Sequence, residues 1–558
     1  MRGSMLAQQK RRRGSWLRQL MAPVVAMILA SCSYIPGLSD DEPEIPKGTV
    51  GFVHGFFGGV AADEPQAVLV GRDVLAAGGS AADAAVAMYF MLSVTLPSSA
   101  GLGGGGMCLV RDYEKDTVET LDFLGQKSSG RQGVAVNVPG NPRGMFALHA
   151  KYGELRWAEM VRPAEQAARF GIQVTRALSN EFTKGRDVIS SSAATRALFS
   201  DAKGQLVGEG NALEQRDLAA MLSRLRARGA GDFYTGPFAR EIAAAAAAAG
   251  TSLTYQDLQK FVPKWRDALE VPFTKSTAFY FPLPRTQAGT MAAKEMAILA
   301  ADEKYVDAKE DERVHLIAEA IQRAIVDGGR GFGSKTVAKG VIRNRLSEDY
   351  VEKLMATYHD DRVVQLSTDI SMGLTQTYQD GGTSFVTLDR AGNAVVCGLT
   401  MNGSFGTGRS LRGMGIITAA PPASLSRRDI SLGLLMLINR PRKVLFMAGA
   451  SSGGPAAQAA LAQVAVRTAG ETPDSLEQAI AGKRIFREPK SAITYFEQGL
   501  PTPLLNALRR RGHNLQSKPS MGKVNMVFCD TGIPHKKLDV SCKIGTDPRG
   551  FGHATTPG

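Results

Sequence analysis

A helix of small side chains, followed closely by a run of glycines, constrains the fold of this chain more than any other feature. Residues 80–88 are mostly alanine, and Ser80 is suited to cap the N-terminus of a helix there. A helix with so little side-chain volume indicates close packing against another element. Glycines dominate residues 101–106, and the apolar residues 107–110 that follow predict a strand.

The pattern of the remaining chain changes after Gly381. Most of the sequence from Pro139 to about Ala300 has a helical pattern. Further helices are predicted at 312–327, 346–358 and 456–468, and strands at 384–388, 394–399, 444–448, 523–529 and 537–544. We therefore predict a helix-rich first part and a strand-rich second part that share one sheet system.

The first fifty residues have the pattern of an export signal. Residues 1–31 contain six basic residues and no acidic residue, and the apolar run 21–30 is too short to span a bilayer as a helix. This run leads to Cys32 in a setting that resembles the bacterial lipobox. We predict a signal peptide at 1–31, lipidation of Cys32 and a tether at 32–50. The protein is then a membrane-anchored lipoprotein of the bacterial cell envelope that faces the periplasm.

The basic balance does not indicate a nucleic-acid partner. The formal net charge is +13, and the six basic residues of the signal account for part of it, which leaves +7 for the long remainder. That remainder contains no basic stripe with interleaved aromatic residues. We therefore predict that the protein has no nucleic-acid partner.

Four other cysteines and seven histidines were considered as site residues. Cys529 and Cys542 flank a turn between two strand-like runs, so a disulfide across the strands is compatible with an oxidising compartment. Cys108 and Cys397 lie in apolar strands and are predicted to be core residues. The histidines have no metal-ligand spacing, and we predict neither a metal nor a cofactor.

Two of the three glycine motifs compete with the assignment that we favour. Residues 101–106 fit G-x-G-x-x-G, but a strand follows where a dinucleotide site needs a helix. Residues 449–453 fit G-x-S-x-G between an apolar strand and a helix, which favours a serine hydrolase that uses Ser451. The acid that Ser451 would need could be Asp474, and the histidine could be His513 or His535. Nothing around these three residues marks them as catalytic.

The third motif, Gly381-Gly382-Thr383, opens a predicted strand. Threonine is a weak nucleophile unless a base removes its proton, and the α-amine of an N-terminal threonine can act as that base. This chemistry requires cleavage of the bond before Thr383. Glycine suits that bond because it tolerates unusual backbone angles and leaves the carbonyl accessible.

Residues 78–87, with the sequence GGSAADAAVA, resemble the G-G-N-A-x-D-A-A-V-A signature of gamma-glutamyltransferases. Further segments follow the order of that family at 101–106, 138–140, 152–153, 232–236, 253–258, 389–395, 402–408, 452–454 and 547–549. The resemblance implies an α/β fold of four layers, the αββα sandwich of N-terminal-nucleophile hydrolases. Self-cleavage before Thr383 would leave a large segment at 51–382 and a small segment at 383–558. We expect the two segments to stay associated, because neither has an obvious complete core of its own.

The resemblance also implies the site residues. Thr383 is expected to be the nucleophile and Thr400 its supporting threonine, while Asn402 lines the substrate site. Gly453 and Gly454 correspond to the pair whose N–H groups form an oxyanion hole. The implied activity is that of a gamma-glutamyltransferase, on γ-glutamyl compounds similar to glutathione or on related acyl amides, without a cofactor.

Four departures from the family pattern bear on activity. Counting back from Asp389 without gaps places the nucleophile on Gly382 rather than on Thr383, and side chains alternate faces along a strand. Leu124 occupies the place of the arginine that pairs with the substrate carboxylate. Residues 418–422 contain no acid for the substrate amine, and 432–434 replace Ser-Ser-Met. A more apolar acyl group, or a catalytically inactive envelope protein with this fold, are the alternatives.

Overall fold

We analysed a computed structural model of the chain. It describes residues 58–283, 290–301, 304–329, 339–370, 372, 381–422, 432–470, 474–534 and 542–557. The predicted signal, Cys32 and the tether lie outside these residues. Within the described residues, a membrane-spanning segment was sought among the helices, and none has both the length and the apolar character to cross a bilayer.

Twenty strands were assigned in the described residues. In chain order they are β1 (Gly58–Ala62), β2 (Gly105–Asp112), β3 (Thr117–Asp122), β4 (Ile172–Gln173), β5 (Ala212–Leu213), β6 (Lys264–Asp267), β7 (Leu269–Pro272), β8 (Thr277–Phe281), β9 (Gly382–Asp389), β10 (Ala394–Thr400), β11 (Ser410–Leu411), β12 (Ile416–Ile417), β13 (Gly433–Asn439), β14 (Val444–Ser452), β15 (Ile485–Arg487), β16 (Ile493–Glu497), β17 (Asn514–Lys518), β18 (Lys523–Ile533), β19 (Cys542–Thr546) and β20 (His553–Thr555).

The helices of the described residues lie mainly between β1 and β9. In chain order they are α1 (Pro65–Ala76), α2 (Ala81–Thr95), α3 (Pro97–Ala100), α4 (Asn141–Tyr152), α5 (Trp157–Phe170), α6 (Arg176–Lys184), α7 (Arg186–Ser190), α8 (Ala193–Leu198), α9 (Arg216–Arg228), α10 (Gly231–Tyr234), α11 (Gly236–Ala248), α12 (Tyr255–Lys260), α13 (Met291–Ala300), α14 (Lys304–Asp307), α15 (Glu310–Gly329), α16 (Lys339–Asn344), α17 (Glu348–Met355), α18 (Ala457–Ala469), α19 (Leu476–Ala481) and α20 (Thr502–Arg510).

Two antiparallel sheets form the centre of the molecule. The first has the strand order β20-β1-β9-β10-β2-β3-β6, and the second has the order β19-β18-β14-β13-β8-β7. Both sheets combine strands from the two sides of residue 381; for example, β9 pairs with β1 and β10 pairs with β2. The prediction that the two parts share one sheet system is therefore confirmed.

Three apolar cores separate four layers. One core lies between the first sheet and helices such as α2, and another lies between the second sheet and α13, α15 and α18. The third core lies between the two sheets and contains Met107, Val386, Met436 and Val527. This arrangement of helices, sheet, sheet and helices confirms the predicted αββα fold.

The small-residue helix α2 is buried along its whole length. Ser80 caps it: the Ser80 hydroxyl accepts from the Asp83 backbone N–H, and the Asp83 carboxylate accepts from the Ser80 N–H. The helix lies against the first sheet, where the backbone N–H of Ala81 donates to Asp389. Small side chains allow this close approach, as the sequence predicted.

Two sequence-based expectations were wrong in part. The helical stretch that we predicted up to about residue 300 contains the two-residue strands β4 and β5 and the longer strands β6, β7 and β8. Cys108 and Cys397 are buried as expected, but they form a disulfide because they lie opposite each other on β2 and β10. The hairpin of β18 and β19 and its Cys529–Cys542 disulfide agree with the sequence analysis.

Candidate active site

Thr383 lies at the start of β9, where side chains alternate between two faces. Phe385 belongs to the core on the helix side, whereas Val386 and Leu388 belong to the core between the sheets. By this alternation Thr383 has the orientation of Phe385, and Gly382 has that of Val386. Gly382 and Ser384 therefore share the orientation toward the second sheet, where Ser384 Oγ accepts from Asn525 Nδ2 of β18 at 3.2 Å, and Thr383 lies between them.

The carboxylate of Asp63 gathers the polar side chains around this strand start. Its Oδ2 atom accepts from Thr383 Oγ1 at 2.9 Å, from Ser452 Oγ at 3.0 Å and from the backbone N–H of Ser384 at 3.3 Å. Its Oδ1 atom accepts from Asn525 Nδ2 at 2.9 Å. Thr383 and Ser452 are fully buried, and Asp63 is nearly so. One carboxylate thus joins the ends of β1, β9, β14 and β18; we call Asp63, Thr383, Ser452, Lys523 and Asn525 the Asp63 cluster.

The electrostatics of the Asp63 cluster favour an ionised carboxylate. Burial acts to raise the pKa of Asp63, but the ammonium of Lys523 and the hydrogen bonds from Asn525, Thr383 and Ser452 outweigh it. The pKa of Asp63 is therefore below its ordinary value. Lys523 Nζ lies 3.5 Å from Asp63 Oδ2, and the Lys523 side chain is 24% exposed. The buried carboxylate of Asp63, with the ammonium of Lys523 nearby, therefore accepts a hydrogen bond from the Thr383 hydroxyl.

Gly453 and Gly454 follow the cluster residue Ser452 directly. Their φ angles are +110° and +80°, which glycine adopts readily and other residues rarely do. A Cβ atom at Gly453 would lie 2.8 Å from the Cα of Gly522, so the turn also needs glycine for space. The turn leads through a 3₁₀ turn, Gly454–Ala456, into α18. Backbone N–H groups at such a turn can stabilise an anion.

Thr400 lies opposite Gly382 rather than Thr383, and Asn402 follows two residues after the end of β10. Thr400 is the partner of Gly382 across the β9–β10 pair, and its Oγ1 atom accepts from the backbone N–H of Asn402 at 2.8 Å. Asn402 has a φ of +57°, and its Nδ2 atom donates to the carbonyl of Ala420 at 2.9 Å. The two predicted residues are thus joined to each other and to the segment 418–422.

The places where the sequence analysis found no charged partner for a substrate are apolar in the structure. Leu124 and Leu434 are buried in the core between the sheets, together with Met107. Ala419 is buried in the core on the helix side. These positions are therefore parts of the apolar cores and do not form an ion-pair site.

The structure does not assemble the alternative serine site. Ser451 is fully buried, and its hydroxyl donates to the backbone carbonyl of Ala457 at 2.6 Å. His513 is hydrogen-bonded to His315 and Thr494. The backbone N–H of Asp474 donates to the backbone carbonyl of Arg467. His535 lies outside the described residues. The serine of this loop that reaches the candidate site is Ser452, not Ser451.

Sequence reasoning missed Asp63, Ser452, Lys523 and Asn525. They come from strand ends that are far apart in the chain, so no local motif connects them. A buried acid directly after the apolar strand β1 was the one available indication, and it was weak. Among the described residues, histidine, cysteine and acidic side chains form no group that could hold a metal ion.

Comparisons with known proteins show the family to which the chain is related. The model of the gamma-glutamyltranspeptidase family matches residues 67–420 and 427–556. A glutathione hydrolase proenzyme of Pseudomonas aeruginosa is 27% identical over 548 residues, which cover 89% of this chain and 94% of that protein. The Acylase ACY 1 proenzyme of a Pseudomonas species is 26% identical and covers 84% of this chain and 89% of that protein.

A solved structure shares the fold. The cephalosporin acylase from Bacillus halodurans superposes with a TM-score of 0.75 at 22% identity and covers 93% of this chain and 99% of that chain. At this identity the likeness concerns the fold.

Proposed function

The chain belongs to the gamma-glutamyltranspeptidase family, and on that premise we propose that it is an amide hydrolase or acyltransferase that cleaves itself before Thr383. The observation that carries the proposal is the buried hydrogen bond from Thr383 Oγ1 to Asp63 beside the Gly453–Gly454 turn. The names of two relatives, which call them proenzymes, support a processing step.

The proposed reaction uses the new N-terminus. Cleavage frees the α-amine of Thr383, which can take the proton of its own hydroxyl. Oγ1 then attacks an amide carbonyl, and the N–H groups of Gly453 and Gly454 stabilise the oxyanion. Water or an amine resolves the acyl-enzyme. Thr400 and Asn402 support the loop that borders the substrate.

The cleavage can be tested together with the Cys108–Cys397 disulfide. Cys108 lies in the large segment 51–382 and Cys397 in the small segment 383–558, so the disulfide joins the two proposed fragments. Purified wild-type protein is expected to give two bands on a reducing gel and one band without reductant. The double variant Cys108→Ser with Cys397→Ser should give two bands in both gels.

A single wild-type band under reducing conditions would sink the proposal. Two bands without reductant in the wild type would instead show that the disulfide does not form. Mass spectrometry of the smaller fragment locates the cut, because residue 383 must be its first residue.

The substrate is proposed to be an acyl amide whose acyl group carries no charged group at the end away from the amide bond. Some relatives are named glutathione hydrolases and one is named an acylase, so γ-glutamyl and other acyl groups are both candidates. Buried Leu124 and Leu434 favour the second class because leucine cannot form the charge-assisted pair that holds a carboxylate.

Acyl specificity gives a second prediction. We expect simple acyl anilides to be cleaved with a kcat/KM about 10- to 100-fold above that of γ-glutamyl anilide, since a hydrogen bond to a charged group contributes about 1.5–3 kcal/mol. Release of the aniline, followed by absorbance, measures both substrates. A clear preference for the γ-glutamyl compound would refute the inference from Leu124.

The location is proposed from the sequence alone. Export, lipidation of Cys32 and anchoring in the bacterial envelope on the periplasmic side follow from the pattern of residues 1–32. Incorporation of labelled palmitate that is lost in Cys32→Ala supports this proposal, and equal labelling of both proteins refutes it.

A catalytically inactive envelope protein is the second candidate. It is favoured by Gly382, which has the orientation toward the second sheet and pairs with Thr400. Under this candidate the wild-type chain stays intact, and the buried Thr383 hydroxyl serves only to tie strand ends together.

A further inference from the structure

We propose that Asp63 is the general base for self-cleavage, removing the proton from Thr383 Oγ1 before the α-amine exists. This inference rests on the proposed function. In the uncut chain the nitrogen of Thr383 belongs to a peptide bond and cannot act as a base. The first cut therefore needs a base other than the one that serves the mature site.

The geometry assigns this task to Asp63. Its Oδ2 atom lies 2.9 Å from Thr383 Oγ1, within the range for direct proton transfer. Ser452, Asn525 and the backbone N–H of Ser384 donate hydrogen bonds to the carboxylate, and the Lys523 ammonium forms an ion pair with it at 3.5 Å. They keep Asp63 ionised and fixed, so that it is the acceptor available to the threonine hydroxyl in this cluster.

Asp63 takes the proton of Thr383 Oγ1 while this oxygen attacks the carbonyl carbon of Gly382. The C–N bond between Gly382 and Thr383 then breaks, and Asp63 returns the proton to the departing nitrogen. The product is an ester between Gly382 and Oγ1. Water hydrolyses this ester, which leaves a carboxylate on Gly382, a free hydroxyl and the α-amine of Thr383.

Asp63→Asn is the matched test. Asparagine has the same shape and still accepts from the Thr383 hydroxyl, but it cannot take the proton. We expect cleavage, followed over time on reducing gels, to slow about 100-fold or more, the usual contribution of a general base. Asp389→Asn is the control, because Asp389 is also buried on the first sheet, where its carboxylate accepts from the backbone N–H groups of Ala81 and Asn393 and from the Asn393 side chain.

The outcomes separate this inference from the proposed function. Slow cleavage in Asp63→Asn, with wild-type rates in Asp389→Asn, supports the inference. Cleavage of Asp63→Asn within about threefold of the wild-type rate, far less than a general base contributes, overturns it and leaves the proposed function standing. A wild-type chain that is never cut overturns both.

If Asp63→Asn does not fold, Lys523→Met tests whether Asp63 is the general base. Among the described residues, Lys523 is the charged group that acts on Asp63 from the elements packed around it; Thr383, Ser452 and Asn525 are neutral. Removing the ammonium raises the pKa of Asp63, so the rate of cleavage must begin to fall at a higher pH than in the wild type. If the rate of cleavage begins to fall at the same pH in Lys523→Met and in the wild type, the inference is overturned.

Discussion

Thr383→Ala is expected to leave the chain as a single band on a reducing gel and to lower amide hydrolysis on the order of 1,000-fold or more, as the loss of a nucleophile does. The substitution removes Oγ1, the atom that both self-cleavage and substrate attack require. It also removes one of the hydrogen bonds to Asp63, although Ser452 and Asn525 continue to donate to that carboxylate. The fold should therefore survive.

Thr387→Ala is the matched control. Thr387 lies on the same strand with the same orientation, is fully buried, and donates from Oγ1 to the carbonyl of Ala81 at 2.7 Å. The same side-chain atoms are lost and a similar hydrogen bond is broken, but no reacting atom is removed. Thr387→Ala should be cut normally. Two fragments from Thr383→Ala would show that another protease cuts the chain or that another residue is the nucleophile.

The layers of the fold were predictable because they follow from local patterns and from the family motifs. The capped helix α2 and the strands β9, β10 and β14 have composition and turn residues that indicate their structure directly. The strands β6 to β8 were missed because each has only four or five residues, and a helical pattern surrounds them.

Contacts across the sheets could not be predicted in the same way. Cys108 and Cys397 are 289 residues apart, and only the β2–β10 register places them side by side. The Asp63 cluster likewise depends on where four strands end. Such residues have ordinary neighbours in the sequence, and the fold alone makes them a site.

Gly382 and Thr383 show both what the sequence could predict and what it could not. The sequence placed Thr383 one residue beyond the family register, and in the structure Thr400 lies opposite Gly382 rather than opposite Thr383. The sequence could not indicate that the displaced threonine has an acceptor. Asp63 supplies one, which gives the later threonine a way to lose its proton and makes a displaced nucleophile chemically reasonable.

Asp547→Ala is expected to lower the free energy of unfolding by about 3–5 kcal/mol, because it leaves the buried guanidinium of Arg484 without its ion-pair partner. Both side chains are 1% exposed. Burial lowers the pKa of Arg484 because it disfavours the charged form, while Asp547 acts in the opposite direction. The midpoint of urea unfolding, monitored by circular dichroism, measures the loss.

Asp530→Ala is the control, because Asp530 is an exposed residue on β18, the strand that pairs with β19. We expect this substitution to change the free energy of unfolding by about 0.5 kcal/mol or less. The double variant Asp547→Leu with Arg484→Met removes both charges and should recover part of the stability that Asp547→Ala loses. Equal effects of Asp547→Ala and Asp530→Ala would show that the ion pair contributes little.

The same substitution is expected to slow self-cleavage, because this ion pair positions the turn beneath the Gly453–Gly454 loop. Arg484 Nη1 donates to the carbonyls of Met521 and Gly522 at 2.9 Å each, and Asp547 Oδ2 accepts from the backbone N–H of Val524 at 2.9 Å. Gly522 contacts Gly453, and the next residues, Lys523 and Asn525, reach Asp63. Asp547→Ala should therefore slow cleavage even at temperatures where the chain remains folded, whereas an unchanged rate in folded protein would mean that the cluster keeps its geometry without this support.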